Sequence, residues 1–117
     1  MIGKRVLIVE DEALIAFDLQ DTLSKCGYAV GDLATDFACA MRMASLEEFD
    51  IALLDVTLGG VMVWPVAELL ISRGCRVIFL SGHVGDVFPP LFRSAPRLIK
   101  PVDYEVLQAM MAKSLGG

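Results

Sequence analysis

Five polar side chains that could do chemistry lie directly after short apolar runs. Glu10 and Asp11 follow "VLIV", Asp55 follows "IALL", Ser81 follows "VIFL", and Lys100 follows a short run ending in Ile99. Taken singly, Asp55 is commonly a turn residue, and Glu10 with Asp11 commonly starts a helix. They could act together only if the preceding runs are strands whose carboxyl ends meet at one edge of a sheet.

Repulsion between carboxylates limits what such an edge can do. Two or three carboxylates close together repel by roughly a few kcal/mol each, so they hold either a proton or a cation. Oxygen ligands without His or Cys nearby favour a hard divalent ion such as Mg²⁺. The amine of Lys100 and the hydroxyl of Ser81 can pair with an oxyanion. These parts suffice for phosphoryl transfer with Asp55 as the nucleophile.

The elements that must position these residues alternate in type along the chain. We predict five strands and four helices; the strands lie at 5–9, 29–33, 51–54, 77–80 and 98–99, and the helices at 12–25, 36–44, 63–73 and 103–114. Residues 82–96 contain two glycines and three prolines, so the helix expected there is short or irregular. The (βα)5 order predicts an α/β fold, a doubly wound parallel five-stranded sheet with helices on both faces.

Composition limits the class of protein. With 117 residues, 56% hydrophobic composition and a mean hydropathy of +0.62, we expect one domain over 1–117, no output domain, and a sheet buried on both faces. A net charge of −5 with scattered basic residues argues against nucleic-acid binding. The apolar runs are too short for a membrane span or signal peptide, so we expect a cytoplasmic protein without membrane contact. The three cysteines have no metal-finger spacing and are expected to be reduced.

The segments "VLIVEDE", "LLDV", "FLSG" and "IKP" resemble, in this order and across the whole chain, the receiver domain of bacterial two-component response regulators. The resemblance implies a flavodoxin-like strand order of 2-1-3-4-5. It implies Mg²⁺ as the cofactor, with Mn²⁺ as a substitute. The roles that it implies are phosphoacceptor for Asp55, direct metal ligand for Asp11, outer acidic partner for Glu10, metal ligand through its backbone carbonyl for Thr57, switch hydroxyl for Ser81 and phosphate-pairing lysine for Lys100.

Other positions carry narrower implications of the same resemblance. "LLDVTLGG" with "FLSGH" is similar to the mostly single-domain FAT GUY subgroup. Arg97 stands where many receivers carry an aromatic rotamer switch, so an aromatic flip is not expected here. His83 is either an exposed loop residue or a residue that positions water and tunes hydrolysis. Pro101 is a candidate for a preceding cis peptide bond.

The function implied is that of a stand-alone signalling phosphoacceptor, which catalyses only its own phosphorylation and dephosphorylation. A sensor histidine kinase or phosphotransfer protein would donate the phosphoryl group, and the switched surface would bind an unknown downstream protein. One alternative is a small Mg²⁺-dependent phosphatase of the haloacid dehalogenase type, although that class places its Asp nucleophile after the first strand. The other is a degenerate receiver that binds a partner without phosphorylation.

Overall fold

The computed structural model describes residues 3–82 and 85–116. Five parallel strands form one sheet: β1 (Arg5–Val9), β2 (Ala29–Val30), β3 (Ile51–Asp55), β6 (Arg76–Ser81) and β7 (Arg97–Ile99). Two further strands, β4 (Thr57–Leu58) and β5 (Val61–Met62), form a small antiparallel hairpin directly after β3. The helices are α1 (Ala13–Lys25), α2 (Phe37–Leu46), α3 (Trp64–Ser72) and α4 (Tyr104–Ser114).

The order of strands in the main sheet is β2-β1-β3-β6-β7. Once the hairpin is set aside, this is the predicted order 2-1-3-4-5, and the predicted fold class is confirmed. The hairpin itself was not predicted. The second strand is also shorter than the predicted 29–33, because only Ala29 and Val30 pair with β1 before a single bridge joins Ala34 to Val9. Gly31 and Asp32 favour strands poorly, which accounts for the interruption.

Alternating side chains of the strands divide the interior into two cores. One core includes Leu7, Leu54 and Phe79 and is covered by α2 and α3. The other core includes Ile8 and Leu53 and is covered by α1 and α4. Successive residues of a strand point to opposite faces, so a sheet buried on both sides needs continuous apolar strands. The central strands meet this requirement, and their ends are therefore held rigidly.

The helices begin where the sequence provides caps. Asp36 accepts a hydrogen bond from the Cys39 N–H at 2.7 Å, as the predicted N-cap of α2. Asp103 caps α4 by accepting from the N–H groups of Glu105 and Val106 at 3.0 and 3.2 Å. These contacts satisfy backbone donors that have no partner within the helix.

In the segment between β6 and β7, the described residues contain only one 3-10 turn, Pro90–Phe92, where a fourth helix would lie in a regular (βα)5 fold. The prolines explain this, as predicted, because they remove N–H donors and disfavour helix in the preceding residue. Phe88 and Phe92 are buried, and their ring centroids lie 5.1 and 5.6 Å from that of Trp64. The ring centroid of Phe79 in β6 lies 5.2 and 5.3 Å from those of Phe88 and Phe92, so aromatic packing attaches the segment to both α3 and the sheet.

Two observations concern the chain as a whole. Of the helices in the described residues, none combines the length and apolar character that crossing a bilayer requires. Cys26, Cys39 and Cys75 form no disulfide with one another, and Cys75 is buried.

Candidate functional site

The carboxyl ends of the strands bring the predicted residues to one edge of the sheet. In the strand register, Val9 lies beside Leu54, Asp55 beside Leu80, and Ser81 beside Ile99. Glu10 and Lys100 directly follow two of these paired residues. Four side chains from distant parts of the sequence are thus neighbours because the strands are parallel and in register.

Lys100 joins two buried carboxylates at the centre of the site. Its Nζ lies 2.5 Å from Oε1 of Glu10 and 3.2 Å from Oδ2 of Asp55. Glu10 is 0% exposed and Asp55 7% exposed. The backbone N–H of Lys100 also donates to the Ser81 carbonyl at 2.9 Å, which fixes the start of the lysine side chain. The ammonium group is therefore held where it can neutralise charge on Asp55.

The electrostatic environment favours a cation or a proton on Asp55. Burial, together with the adjacent Glu10 carboxylate, raises the pKa of Asp55 from 3.8 to about 7, although Lys100 opposes the shift. Burial would lower the pKa of Lys100, but its contacts with Glu10 and Asp55 outweigh burial and raise it. Lys100 therefore stays charged, and Asp55 gives up its proton more readily when further positive charge arrives.

The hairpin β4–β5 holds the third carboxylate, that of Asp11. The N–H of Gly59 donates to Oδ2 of Asp11 at 2.9 Å, and this hydrogen bond lowers the pKa of Asp11 despite partial burial. Gly59 and Gly60 have φ values of 53° and 87°, the left-handed backbone that a two-residue hairpin turn requires. The glycine pair in "LGGV" could have indicated this hairpin in the sequence.

The three carboxylates form a cluster that fits a small hard cation. One oxygen from each of Glu10, Asp11 and Asp55 lies within 4.8 Å of the others. Asp11 and Asp55 line a cleft of about 590 Å³ together with Thr57 and Lys100, whereas Glu10 is buried behind them. Carboxylate oxygens without nitrogen or sulfur donors are typical of sites for Mg²⁺.

Ser81 faces an acidic residue that was not predicted from the sequence. The Ser81 side chain is 1% exposed, and its hydroxyl donates a hydrogen bond to Oδ2 of Asp86. Asp86 also lines the cleft. Nothing in the sequence around Asp86 indicated this contact, because it depends on the path of an irregular, proline-containing loop.

The remaining predicted residues take different positions. Thr57 borders the cleft at the start of β4, and the Lys100–Pro101 peptide bond is cis. Arg97 contacts the loop: its guanidinium carbon lies 3.5 Å from the centroid of the Phe88 ring, and its Nη2 donates to the carbonyl groups of Phe92 and Arg93. His83, expected to be either an exposed loop residue or a residue that tunes hydrolysis, lies outside the described residues.

Comparison with known proteins identifies the family of the chain. No protein-family model matches the chain. The transcriptional activator protein IrlR of Burkholderia pseudomallei is 34% identical over 115 residues, which are 95% of this chain and 50% of IrlR. This chain thus spans about half the length of that curated relative.

Two solved structures have the same fold. The N-terminal domain of a response regulator/sensory box/GGDEF protein from Carboxydothermus hydrogenoformans is 27% identical, with a TM-score of 0.84 over 97% of this chain and 94% of that one. The receiver domain of the sensor histidine kinase PA1611 from Pseudomonas aeruginosa PAO1 is 24% identical, with a TM-score of 0.83 over 98% and 99%. Its crystal structure has a magnesium ion coordinated in the active site cleft. With its strand order and these relatives, the chain belongs to the receiver domains of two-component response regulators.

Proposed function

We propose that this domain accepts a phosphoryl group on Asp55 and uses it to switch a protein-binding surface. The observation that supports this most directly is the position of Lys100 Nζ, 3.2 Å from Oδ2 of Asp55, beside two further carboxylates. A structural ion pair would need only one acid for one amine. A surplus of acids beside a cleft suits a site that gathers a cation and an anionic group together.

The donor would be a phosphohistidine presented by a sensor histidine kinase or a phosphotransfer protein. An ionised oxygen of Asp55 attacks phosphorus in line with the bond between phosphorus and imidazole nitrogen. That bond breaks, the imidazole leaves with the electron pair and takes up a proton, and an acyl phosphate remains on Asp55. Lys100 exchanges its contact with the carboxylate for one with a phosphoryl oxygen, and the Ser81 hydroxyl donates a hydrogen bond to another phosphoryl oxygen. Positioning and charge stabilisation supply most of the catalysis in such a transfer.

Asp11, Asp55 and the backbone carbonyl of Thr57 would hold a Mg²⁺ ion, with Glu10 as the outer acidic partner. The carboxylate cluster fits the ion because its oxygens are close together and carry more negative charge than Lys100 balances. Bound Mg²⁺ supplies charge neutralisation for the incoming phosphoryl group. The magnesium ion in the P. aeruginosa receiver domain supports this assignment, and Mn²⁺ should substitute.

The output would be a changed surface for a downstream protein. Phosphorylation adds about −1.5 to −2 charges beside Ser81 and Lys100. Because Ser81 contacts Asp86 of the loop that precedes β7, and Lys100 lines the same cleft as Asp86, a change in these contacts would alter that loop. The proposed activity needs only the described fold and its site, and the domain would turn over no substrate other than its own phosphoryl group.

Acetyl phosphate with Mg²⁺ tests the proposal without a cognate kinase. Intact-mass spectrometry should show the addition of one phosphoryl group in wild type and none in Asp55→Asn. Asp32→Asn is the matched control, because Asp32 is exposed and outside the cleft lining; it should label like wild type. Labelling of Asp55→Asn, or rapid turnover of phosphate monoesters by the wild type, would refute the proposed role.

A further inference from the structure

The hydrogen-bond partner of the Ser81 hydroxyl is an acidic residue, Asp86. Asp86 lies five positions after Ser81 and accepts the hydrogen bond that the buried Ser81 hydroxyl donates. It does so from inside the lining of the cleft that contains Asp55 and Lys100. The Asp86 carboxylate therefore accepts the hydrogen bond that, in the proposed mechanism, Ser81 would donate to a phosphoryl oxygen.

A serine hydroxyl has one proton and can donate it to one acceptor at a time. Ser81 can bond the carboxylate of Asp86 or a phosphoryl oxygen on Asp55, but not both through the same proton. The two acceptors also repel each other, because both are anions at one cleft. Phosphorylation must therefore break the contact between Ser81 and Asp86.

We propose that Asp86 is a positioning residue that competes with the phosphoryl group for the Ser81 hydroxyl and so weakens phosphorylation. This inference rests on the proposed function of Asp55. Asp86 acts through Ser81, which it holds in the unphosphorylated arrangement. The hydrogen bond from Ser81 to the phosphoryl group replaces the existing one to Asp86, so its net contribution to binding of the phosphoryl group is small.

The same contact connects the site to the loop. Phe88 follows Asp86 by two residues, packs 5.1 Å from Trp64 and lies beneath the guanidinium of Arg97. Loss of the contact with Ser81 removes one attachment near the start of the loop, whereas Phe88, Phe92 and Arg97 still hold the residues that follow. Asp86 is therefore placed to couple occupancy of Asp55 to the position of this loop, while Arg97 keeps the loop attached to β7.

The test uses beryllofluoride, a non-hydrolysable substitute for the phosphoryl group, titrated in excess Mg²⁺ and followed by calorimetry. Asp86→Ala removes the competing acceptor and its charge. Because hydrogen bonds to charged groups are strong, the affinity for beryllofluoride should rise at least about tenfold. Asp86→Asn keeps an acceptor without the charge and should give a smaller gain. Asp32→Asn changes the same charge at an exposed position and should match wild type. Circular dichroism confirms that each variant folds.

A double-mutant cycle separates competition for the hydroxyl from general repulsion. In a Ser81→Ala background the hydroxyl is missing, so adding Asp86→Ala should change affinity less than about twofold. Ser81→Thr keeps a hydroxyl and should restore most of the effect of Asp86→Ala. An equal gain with and without the Ser81 hydroxyl would overturn the competition, as would a wild-type affinity in Asp86→Ala.

Wild type supplies the remaining control. If it binds beryllofluoride but Asp86→Ala gains nothing, the role of Asp86 is refuted and that of Asp55 stands. If wild type neither binds beryllofluoride nor takes up the phosphoryl group of acetyl phosphate, the proposed function fails, and the role of Asp86 fails with it.

Discussion

Replacing Asp55 with asparagine should stabilise the domain at neutral and alkaline pH. Asp55 is 7% exposed and lies beside Glu10, which raises its pKa to about 7. Ionisation of Asp55 therefore costs more in the folded state than in the unfolded chain. Asparagine keeps the shape and an acceptor oxygen for Lys100 but cannot ionise, so it avoids this cost.

The pKa shift sets the sign and the upper limit of the effect. Between pH 4 and 7 the folded state keeps a proton on Asp55 that the unfolded state has already released, so the contribution of Asp55 to wild-type stability falls as pH rises through this window. A pKa raised from 3.8 to about 7 corresponds to at most about 4 kcal/mol. Lys100 loses one of its two charged partners in the variant, so we expect a net gain of about 1–3 kcal/mol above pH 7.

Urea unfolding of wild type and Asp55→Asn at a series of pH values from 4 to 8 measures the effect. The difference in the free energy of unfolding should be small near pH 4, grow with pH, and level off above pH 7. Asp32→Asn controls for the general loss of one negative charge. Excess Mg²⁺ should narrow the difference at pH 8, because it stabilises the ionised Asp55 of wild type.

A variant that is no more stable than wild type at pH 8 would contradict this reasoning. So would a gain in stability that stays constant between pH 4 and 8, because ionisation of Asp55 could not then be its cause. Equal slopes of unfolding free energy against urea concentration would show that the unfolded states are comparable.

Three further effects follow from the same contacts. Lys100→Ala should lower the free energy of unfolding, measured in urea, by about 3 kcal/mol, because Glu10 remains buried without its ammonium partner. The variant should still accept the phosphoryl group, but with a smaller change in Trp64 fluorescence than wild type. Asp36→Ala should lower the free energy of unfolding by about 1 kcal/mol, because it removes the N-cap of α2; thermal unfolding would measure this loss. Mg²⁺ at about 100 times its Kd should stabilise wild type by about 2.7 kcal/mol, and Asp11→Asn should lose most of this gain, as calorimetric scans would show.

The sequence predicted the sheet and its edge because those features depend on strong, local signals. Continuous apolar strands such as 51–54 and 77–80 can be buried only between two layers of helices. Parallel strands then bring the residues that follow them together, whatever their separation along the chain. The proximity of Glu10, Asp55 and Lys100 follows from that topology. Their roles in phosphoryl transfer remain predictions.

The features that the sequence did not predict depend on weak or distant contacts. The strands of the hairpin have two residues each, too few for an alternating pattern, so only the turn glycines Gly59 and Gly60 marked it. The early end of β2 reflects Gly31 and Asp32, which favour strands poorly, in an edge strand where one neighbour alone provides hydrogen bonds. The contact between Ser81 and Asp86 arises from the conformation of a loop, which local propensity does not determine.

Charge balance links these features to one another. When Glu10, Asp11 and Asp55 are ionised, Lys100 leaves two negative charges uncompensated, which is the charge that one divalent cation cancels. A phosphoryl group then adds about −1.5 to −2 charges to a cleft that also contains Asp86. Because Asp86 belongs to the loop, whereas Glu10, Asp11 and Asp55 are held by the sheet or the hairpin, Asp86 is the one of these four that can move away. Arrival of the anion is thereby coupled to movement of that loop.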